Sequence, residues 1–176
     1  MAFEIRAGTR DDAEAIARVH IESWRGGYRG MVPDEVLDSD EFEASRRDMW
    51  TSWRFNPGQR VTVCVGATRT GETIIGFAAY GPERERVGAS PVRGEVYACY
   101  FLPEAWGDGS ASALIDHVDE RLRAEGFADA VLWVMKNNPR ARAFYEKHGW
   151  KTTGRGNEYT VGDARLPEIE YRKELT

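Results

Sequence analysis

Residues 95–150 alternate between strand-like and helix-like patterns. A strand at residues 95–102 leads through glycines into a helix whose apolar residues recur every three or four positions. The next strand, residues 130–135, is apolar throughout, which is typical of a strand buried on both faces. A second helix is predicted to begin at Asn138-Pro139, because asparagine accepts hydrogen bonds from unpaired N–H groups and proline fits the first turn. This order predicts helices packed on a mixed sheet.

The rest of the chain extends that sheet. Five further strands are predicted at residues 3–7, 60–68, 73–81, 150–154 and 168–173. A helical stripe covers residues 13–24, and a second helical region begins at Pro33. Its predicted inner positions are Val36, Leu37, Phe42, Met49, Trp50 and Trp53. Residues 83–94 and 154–167 are predicted to be surface loops. The expected fold class is α/β (α+β), with about seven strands and about four helices in a single domain, residues 1–176.

Composition narrows the function. The chain has 24 Lys plus Arg and 29 Asp plus Glu, a net charge of −5, which argues against a nucleic-acid partner because phosphate binding needs a basic surface. No apolar run reaches the roughly 18 residues of a membrane span, and the N-terminus lacks a signal-peptide pattern. A cytoplasmic protein without a membrane partner is expected. No metal-binding spacing occurs, so no metal is expected, and Cys64 and Cys99 are predicted core thiols.

The glycine-containing turn that follows the strand at residues 95–102 is a candidate anion-binding site. Gly107 and Gly109 lie between a strand and a helix start, where unpaired N–H groups and the positive end of the helix dipole point at one small volume. Such a volume suits a phosphate or diphosphate, which a side chain at either glycine would keep from the backbone. An ordinary glycine turn before a helix stays open as the alternative.

Two motifs give the chain a family resemblance. The first is a strand, a proline, a turn and then G-x-G/A, which is matched at residues 109–111. The second is N-x-x-A-x-x-F-Y-x-x-x-G-[FW], which is matched at residues 138–150. With both motifs in this order, the chain resembles the GNAT superfamily of acyl-CoA-dependent N-acetyltransferases. Residues 15–24 with Tyr28-Arg29-Gly30 also look like the first helix and loop of many members.

The resemblance implies a GNAT-like fold, acetyl-CoA as the acyl donor and a position for each part of it. The pantetheine arm is expected along the fourth strand, at Tyr100, Phe101 and Leu102, with Asn138 beside it. The diphosphate is expected on the turn, with Gly107, Gly109, Ser110, Ala111 and Ser112 as its binding residues.

The resemblance also implies catalytic roles. Tyr145 is expected near the sulfur, as the acid that protonates the departing thiolate, although an aromatic residue of the core is the alternative. Glu95 at the start of the fourth strand is a candidate base, and a solvated strand-end carboxylate is the equal alternative. Trp24 and Tyr28 are candidate acceptor-binding residues, although core packing is the favoured interpretation for Trp24.

Two residues depart from the family pattern. Trp106 stands where the family prefers Arg or Gln, and Asp108 stands where a basic residue is usual. Both are expected to weaken coenzyme A binding. The predicted function is transfer of an acetyl group from acetyl-CoA directly to a primary amine of a small molecule or peptide. A non-catalytic acyl-CoA-binding or regulatory module is the alternative, and the resemblance leaves a homodimer open.

Overall fold

The computed structural model describes residues 3–52, 57–69, 71–84 and 93–175. Within them, seven strands form one sheet in the order β1-β2-β3-β4-β5-β7-β6. The strands are β1 Phe3–Ala7, β2 Arg60–Thr68, β3 Gly71–Pro82, β4 Gly94–Phe101, β5 Asp129–Met135, β6 Lys151–Val161 and β7 Ala164–Glu174. Neighbouring strands are antiparallel except β4 and β5, which are parallel. The predicted mixed sheet of seven strands is confirmed.

Five α-helices pack on this sheet in the described ranges. They are α1 Ala13–Gly27, α2 Asp34–Leu37, α3 Asp40–Thr51, α4 Ser110–Ala124 and α5 Pro139–Lys147. The predicted second helical region is divided in two, because Ser39 caps a new helix by accepting a hydrogen bond from the Phe42 N–H at 3.1 Å. None of the helices in the described part of the chain is long and apolar enough to cross a membrane.

The core lies between the helices and the central strands. Helices α1 and α3 pack on each other and on the sheet, where the rings of Trp50 and Phe77 meet edge to face with centroids 4.8 Å apart. Helix α4 packs against β2, β3 and β4 with four fully buried apolar residues, Leu114, Ile115, Val118 and Leu122. These apolar faces follow the helical spacing in the sequence.

Three sequence predictions are wrong or fall outside the described residues. Met49, predicted to face inward, is exposed, and Trp53 lies outside the described residues. The predicted loop at residues 154–167 is wrong, because β6 and β7 continue through it as one long hairpin. Most of the other predicted loop, residues 83–94, lies outside the described residues.

Candidate active site

The parallel strands β4 and β5 separate part of the way along their length. They pair only at Gly94–Val96 with Ala130–Leu132, although β4 continues to Phe101 and β5 to Met135. On its other side β4 remains paired with β3, where Tyr97 is one extra residue that bulges between the partners of Ala79 and Tyr80. The edge of β4 that faces β5 is therefore unpaired beyond the bulge, and its main chain is available to a ligand.

A cleft of about 120 Å³ occupies the gap between the two strands. Its lining brings together Tyr100, Phe101, Asn138 and Tyr145, four of the residues predicted to bind the donor or to act on it. Tyr28, a predicted acceptor residue, also lines this cleft. Leu102 does not reach it, because its side chain is fully buried and its N–H donates to the Ile75 carbonyl at 2.8 Å.

The side chain of Tyr145 has a hydroxyl group available for a ligand. Among the described residues, this hydroxyl makes no hydrogen bond. Burial raises the pKa of the phenol well above its ordinary value, and the nearby Cys99 and Tyr100 add to the rise. The Tyr145 phenol is therefore protonated at neutral pH and can donate its proton into the cleft.

Asn138 is buried and caps helix α5. Its side-chain oxygen accepts a hydrogen bond from the Ala141 N–H at 3.0 Å, which uses the helix start that the Asn-Pro sequence predicted. The side-chain amide NH₂ of Asn138 makes no hydrogen bond within the described residues, so its donors remain for a ligand in the cleft.

The glycine turn lies beyond the end of β4 and begins helix α4. Gly107 and Gly109 have φ of 86° and 94°, a left-handed backbone that favours glycine, and a Cβ at either would meet nothing within 4 Å. In the described structure, the N–H groups of Ala111 and Ser112 have no hydrogen-bond acceptor, as expected for the first turn of a helix. The turn thus has the unpaired donors that the sequence predicted.

Asp108 takes up one donor at this helix start. Its Oδ1 atom accepts hydrogen bonds from the Ser110 N–H at 2.9 Å and from the Ser110 hydroxyl at 2.5 Å. Ser110 is fully buried, so its hydroxyl serves the turn itself rather than the solvent. The N-cap position itself is Gly109, so the carboxylate that departs from the family pattern stabilises the turn that leads into the helix.

Trp106, the second departure, supports an arginine. Its indole N–H donates to the Phe101 carbonyl at 3.0 Å, and the Arg140 guanidinium carbon lies 3.3 Å from the centroid of a Trp106 ring. Arg140 also lines the cleft, and burial lowers the pKa of its guanidinium, which nevertheless stays charged. Arg140 was not predicted as a site residue, although its position two residues after the capping Asn138 was a usable signal.

A second, larger cavity of about 480 Å³ adjoins the cleft. The two share wall residues on β4 and β5, namely Val96, Tyr97, Ala98, Tyr100 and Trp133. Trp24 and Glu95, both predicted site residues, line this cavity as well. A group bound in the cleft can therefore reach a second molecule held in the cavity.

Two carboxylates in the cavity differ in their surroundings. Glu95 is almost fully buried and accepts hydrogen bonds from Arg84, at 2.8 Å from the main-chain N–H and at 2.7 and 3.2 Å from the guanidinium. The carboxylate of Glu168, on β7, makes no hydrogen bond or ion pair within the described part of the chain. Burial raises the pKa of Glu168 to about 7; Arg84 opposes this rise and Glu95 adds to it.

Comparison with solved structures gives the class of the protein. The N-acetyltransferase PaiA of Thermoplasma acidophilum, solved in complex with coenzyme A, is 20% identical, covers 99% of each chain and superposes with a TM-score of 0.68. An N-acetyltransferase of Staphylococcus aureus Mu50 is 17% identical, covers 100% of each chain and gives a TM-score of 0.68. At this level of identity the likeness shows the fold alone, which this chain shares with both structures.

Sequence comparison identifies the family. The acetyltransferase (GNAT) family matches residues 19–150. The N-acetyltransferase YuaI of Bacillus subtilis is 33% identical over 169 residues, covering 94% of this chain and 89% of its own. Spermidine N(1)-acetyltransferase of Thermoplasma acidophilum is 23% identical over 171 residues, covering 97% and 99%. The chain belongs to the GNAT family and is an N-acetyltransferase.

Proposed function

We propose that the enzyme transfers an acetyl group from acetyl-CoA to a primary amine in one direct step. The observation that carries this proposal is the meeting of the cleft and the cavity along the unpaired edge of β4. A thioester in the cleft would lie next to an amine in the cavity, so no acyl-enzyme intermediate is needed. Both the structural neighbour solved with coenzyme A and the relative named for spermidine support this pair of substrates.

The donor half of the site matches the parts of acetyl-CoA. The pantetheine arm pairs with the free edge of β4 at Tyr100 and Phe101, and the Asn138 amide donates to it. The diphosphate binds the unpaired N–H groups of Ala111 and Ser112. Arg140 supplies the positive charge that the turn itself lacks, since its guanidinium is held over Trp106 at the cleft.

The Tyr145 phenol acts as the acid. The amine nitrogen attacks the thioester carbonyl carbon, the C–N bond forms, and the C–S bond breaks with its electron pair on sulfur. That thiolate takes the proton of the Tyr145 hydroxyl, which lines the cleft and has no competing acceptor within the described residues. The nitrogen loses its second proton as the amide forms, and this proton restores the Tyr145 phenol. Proton donation of this kind contributes about 100- to 10,000-fold to a rate.

Glu168 is the stronger candidate for the base. An amine must lose a proton before it can attack, and a carboxylate with a pKa of about 7 is suited to accept one near neutral pH. Glu95, the base predicted from the sequence, is held by three hydrogen bonds from Arg84. In this proposal the Glu95–Arg84 pair fixes the wall of the cavity, while Glu168 receives the proton.

Thiol release from acetyl-CoA with a panel of primary amines tests the function. We expect turnover with at least one amine, a product heavier by one acetyl group, and a loss of about 100-fold or more in kcat for Tyr145→Phe. Tyr171→Phe is a matched control, since it removes a hydroxyl that bonds to Glu146 at 2.7 Å outside the cleft. Tight coenzyme A binding without turnover would support the binding module instead, and full turnover by Tyr145→Phe would remove the acid role.

A further inference from the structure

Seven of the 19 residues that line the larger cavity carry rings. Among the described residues, the rings that line it are those of His20, Trp24, Trp50, Tyr97, Tyr100, Trp133 and Tyr159. His20 adds no charge, because burial lowers the pKa of its imidazole well below the ordinary value and the nearby Arg46 lowers it further. Its ring stacks on Tyr100 with centroids 4.8 Å apart. Such a surface favours an apolar or aromatic group of the acceptor.

Two of the three carboxylates in the cavity wall are already neutralised. Glu83 accepts two hydrogen bonds from the Arg93 guanidinium, at 2.5 and 2.9 Å. Glu95 is paired with Arg84, whose guanidinium donates two hydrogen bonds to the same oxygen, Oε1. A cationic acceptor would have to break one of these pairs to use either carboxylate.

Two further arginines lie at or near the cavity. Arg155 lines it and lies 5.5 Å from the centroid of a Trp133 ring, and its charge is paired with Glu170 at 3.2 Å. Behind the Trp24 ring, 5.2 Å from its centroid, lies Arg46, a buried guanidinium that pairs with no carboxylate in the described structure. The unpaired charge of Arg46 opposes a second cation in the cavity.

Glu168 is thus the one lining carboxylate, within the described residues, that lacks a cationic partner at ion-pair distance. It lies on β7 opposite Met135 and Asn157, and both of these neighbours line the cavity. One free negative charge in an aromatic cavity complements one ammonium group.

We propose that the acceptor is a monoamine, a single primary ammonium on an apolar or aromatic body, rather than a polyamine. The inference rests on the proposed function and names its substrate class. Glu168 binds the ammonium, and the rings hold the apolar body. A polyamine would leave further cations without a carboxylate partner and near the unpaired charge of Arg46, which is costly because buried charges need partners.

A matched pair of acceptors tests whether the cavity excludes a second positive charge on the acceptor. n-Hexylamine and cadaverine have the same chain length and differ in a terminal methyl or ammonium group. We expect kcat/KM for n-hexylamine to exceed that for cadaverine by about tenfold or more, as repulsion at this range implies. Phenethylamine, which carries an aromatic body and a single ammonium, is expected to match or exceed n-hexylamine.

A variant then tests whether a charge in the cavity wall causes the preference for n-hexylamine over cadaverine. Arg155→Gln removes a positive charge from the wall and is expected to narrow the ratio of n-hexylamine to cadaverine several-fold. Arg165→Gln breaks an exposed pair with Glu158 on the same hairpin, away from the cavity lining, and should leave the ratio unchanged.

The outcomes separate this inference from the proposed function. Equal or better turnover of cadaverine or spermidine would overturn the monoamine class and leave acetyl transfer in place. Absence of thiol release with every amine would overturn the proposed function itself, and an unchanged ratio in Arg155→Gln would show that the cavity charges do not select the acceptor.

Discussion

Glu168 gives the pH dependence of the reaction a specific origin. Its carboxyl has a pKa of about 7, so acidification through this value protonates the base and lowers kcat/KM. We expect Glu168→Gln to lower kcat/KM by about 100-fold or more and to abolish the bend near pH 7. Ionisation of the amine affects both enzymes equally, so the ratio of their pH profiles isolates the carboxylate.

The control for this experiment is another glutamate of the same hairpin. Glu158 on β6 is exposed, pairs with Arg165 at 3.4 Å and does not line the cavity. Glu158→Gln should therefore retain the wild-type pH profile. If Glu95→Gln, rather than Glu168→Gln, removed the bend, the base predicted from the sequence would be the correct one.

The sequence predicts the site residues unevenly, for a physical reason. Tyr145 and Asn138 belong to a motif along one helix, so their relation to the cleft follows from local spacing. Glu168 lies in a strand of ordinary composition, and its reactivity depends on Arg84 being held by Glu95 and on burial between strands that are distant in sequence. Such contacts between residues distant in sequence leave no recognisable pattern in the local sequence.

At the scale of single elements, the turn before α4 combines stabilising hydrogen bonds with an unfavourable charge. Asp108 accepts two hydrogen bonds from Ser110, yet its negative charge lies at the proposed diphosphate site. Asp108→Asn keeps an oxygen acceptor and removes the charge. We expect it to tighten coenzyme A binding by about threefold to tenfold, because a partly screened repulsion of about 1 kcal/mol is relieved.

Calorimetry at two salt concentrations checks this expectation. The gain in affinity should shrink as salt rises, since the repulsion is screened. Asp108→Ala separates the two roles, because it also loses the hydrogen bonds to the buried Ser110 and should lower the free energy of unfolding by about 1 kcal/mol. An affinity for Asp108→Asn equal to or below the wild-type value would show that this carboxylate does not oppose the ligand.

The elements themselves were predicted where side-chain periodicity is strong. The apolar β5 and the stripes of α1 and α4 were predicted correctly. The β6–β7 hairpin was not, because Gly154, Gly156 and Pro167 are typical of a loop. In the structure the glycines lie in or beside a bulge of β6, and Pro167 stands just beyond the end of β5, where its missing N–H costs no bond with that strand.

At the scale of the whole molecule, the sheet is two parts joined at a short seam. Strands β1 to β4 form one part and β5 to β7 the other, and only Gly94–Val96 and Ala130–Leu132 pair across it. A pantetheine arm between the strands would supply main-chain partners where the sheet lacks them. The proposed donor site is therefore also the place where β4 and β5 lack main-chain hydrogen bonds to each other.

This arrangement predicts that coenzyme A stabilises the fold and protects one particular edge. At a concentration about 100 times its Kd, a ligand that binds only the folded state adds about 2.7 kcal/mol, which corresponds to a rise in Tm of roughly 5 to 10 °C for a chain of this size. Hydrogen exchange should slow on β4 beyond Val96. Adenosine 3′,5′-bisphosphate, which lacks the pantetheine arm, should leave that edge exchanging freely even at equal occupancy. Equal protection by both ligands would mean that the phosphates, and not the arm, close the seam.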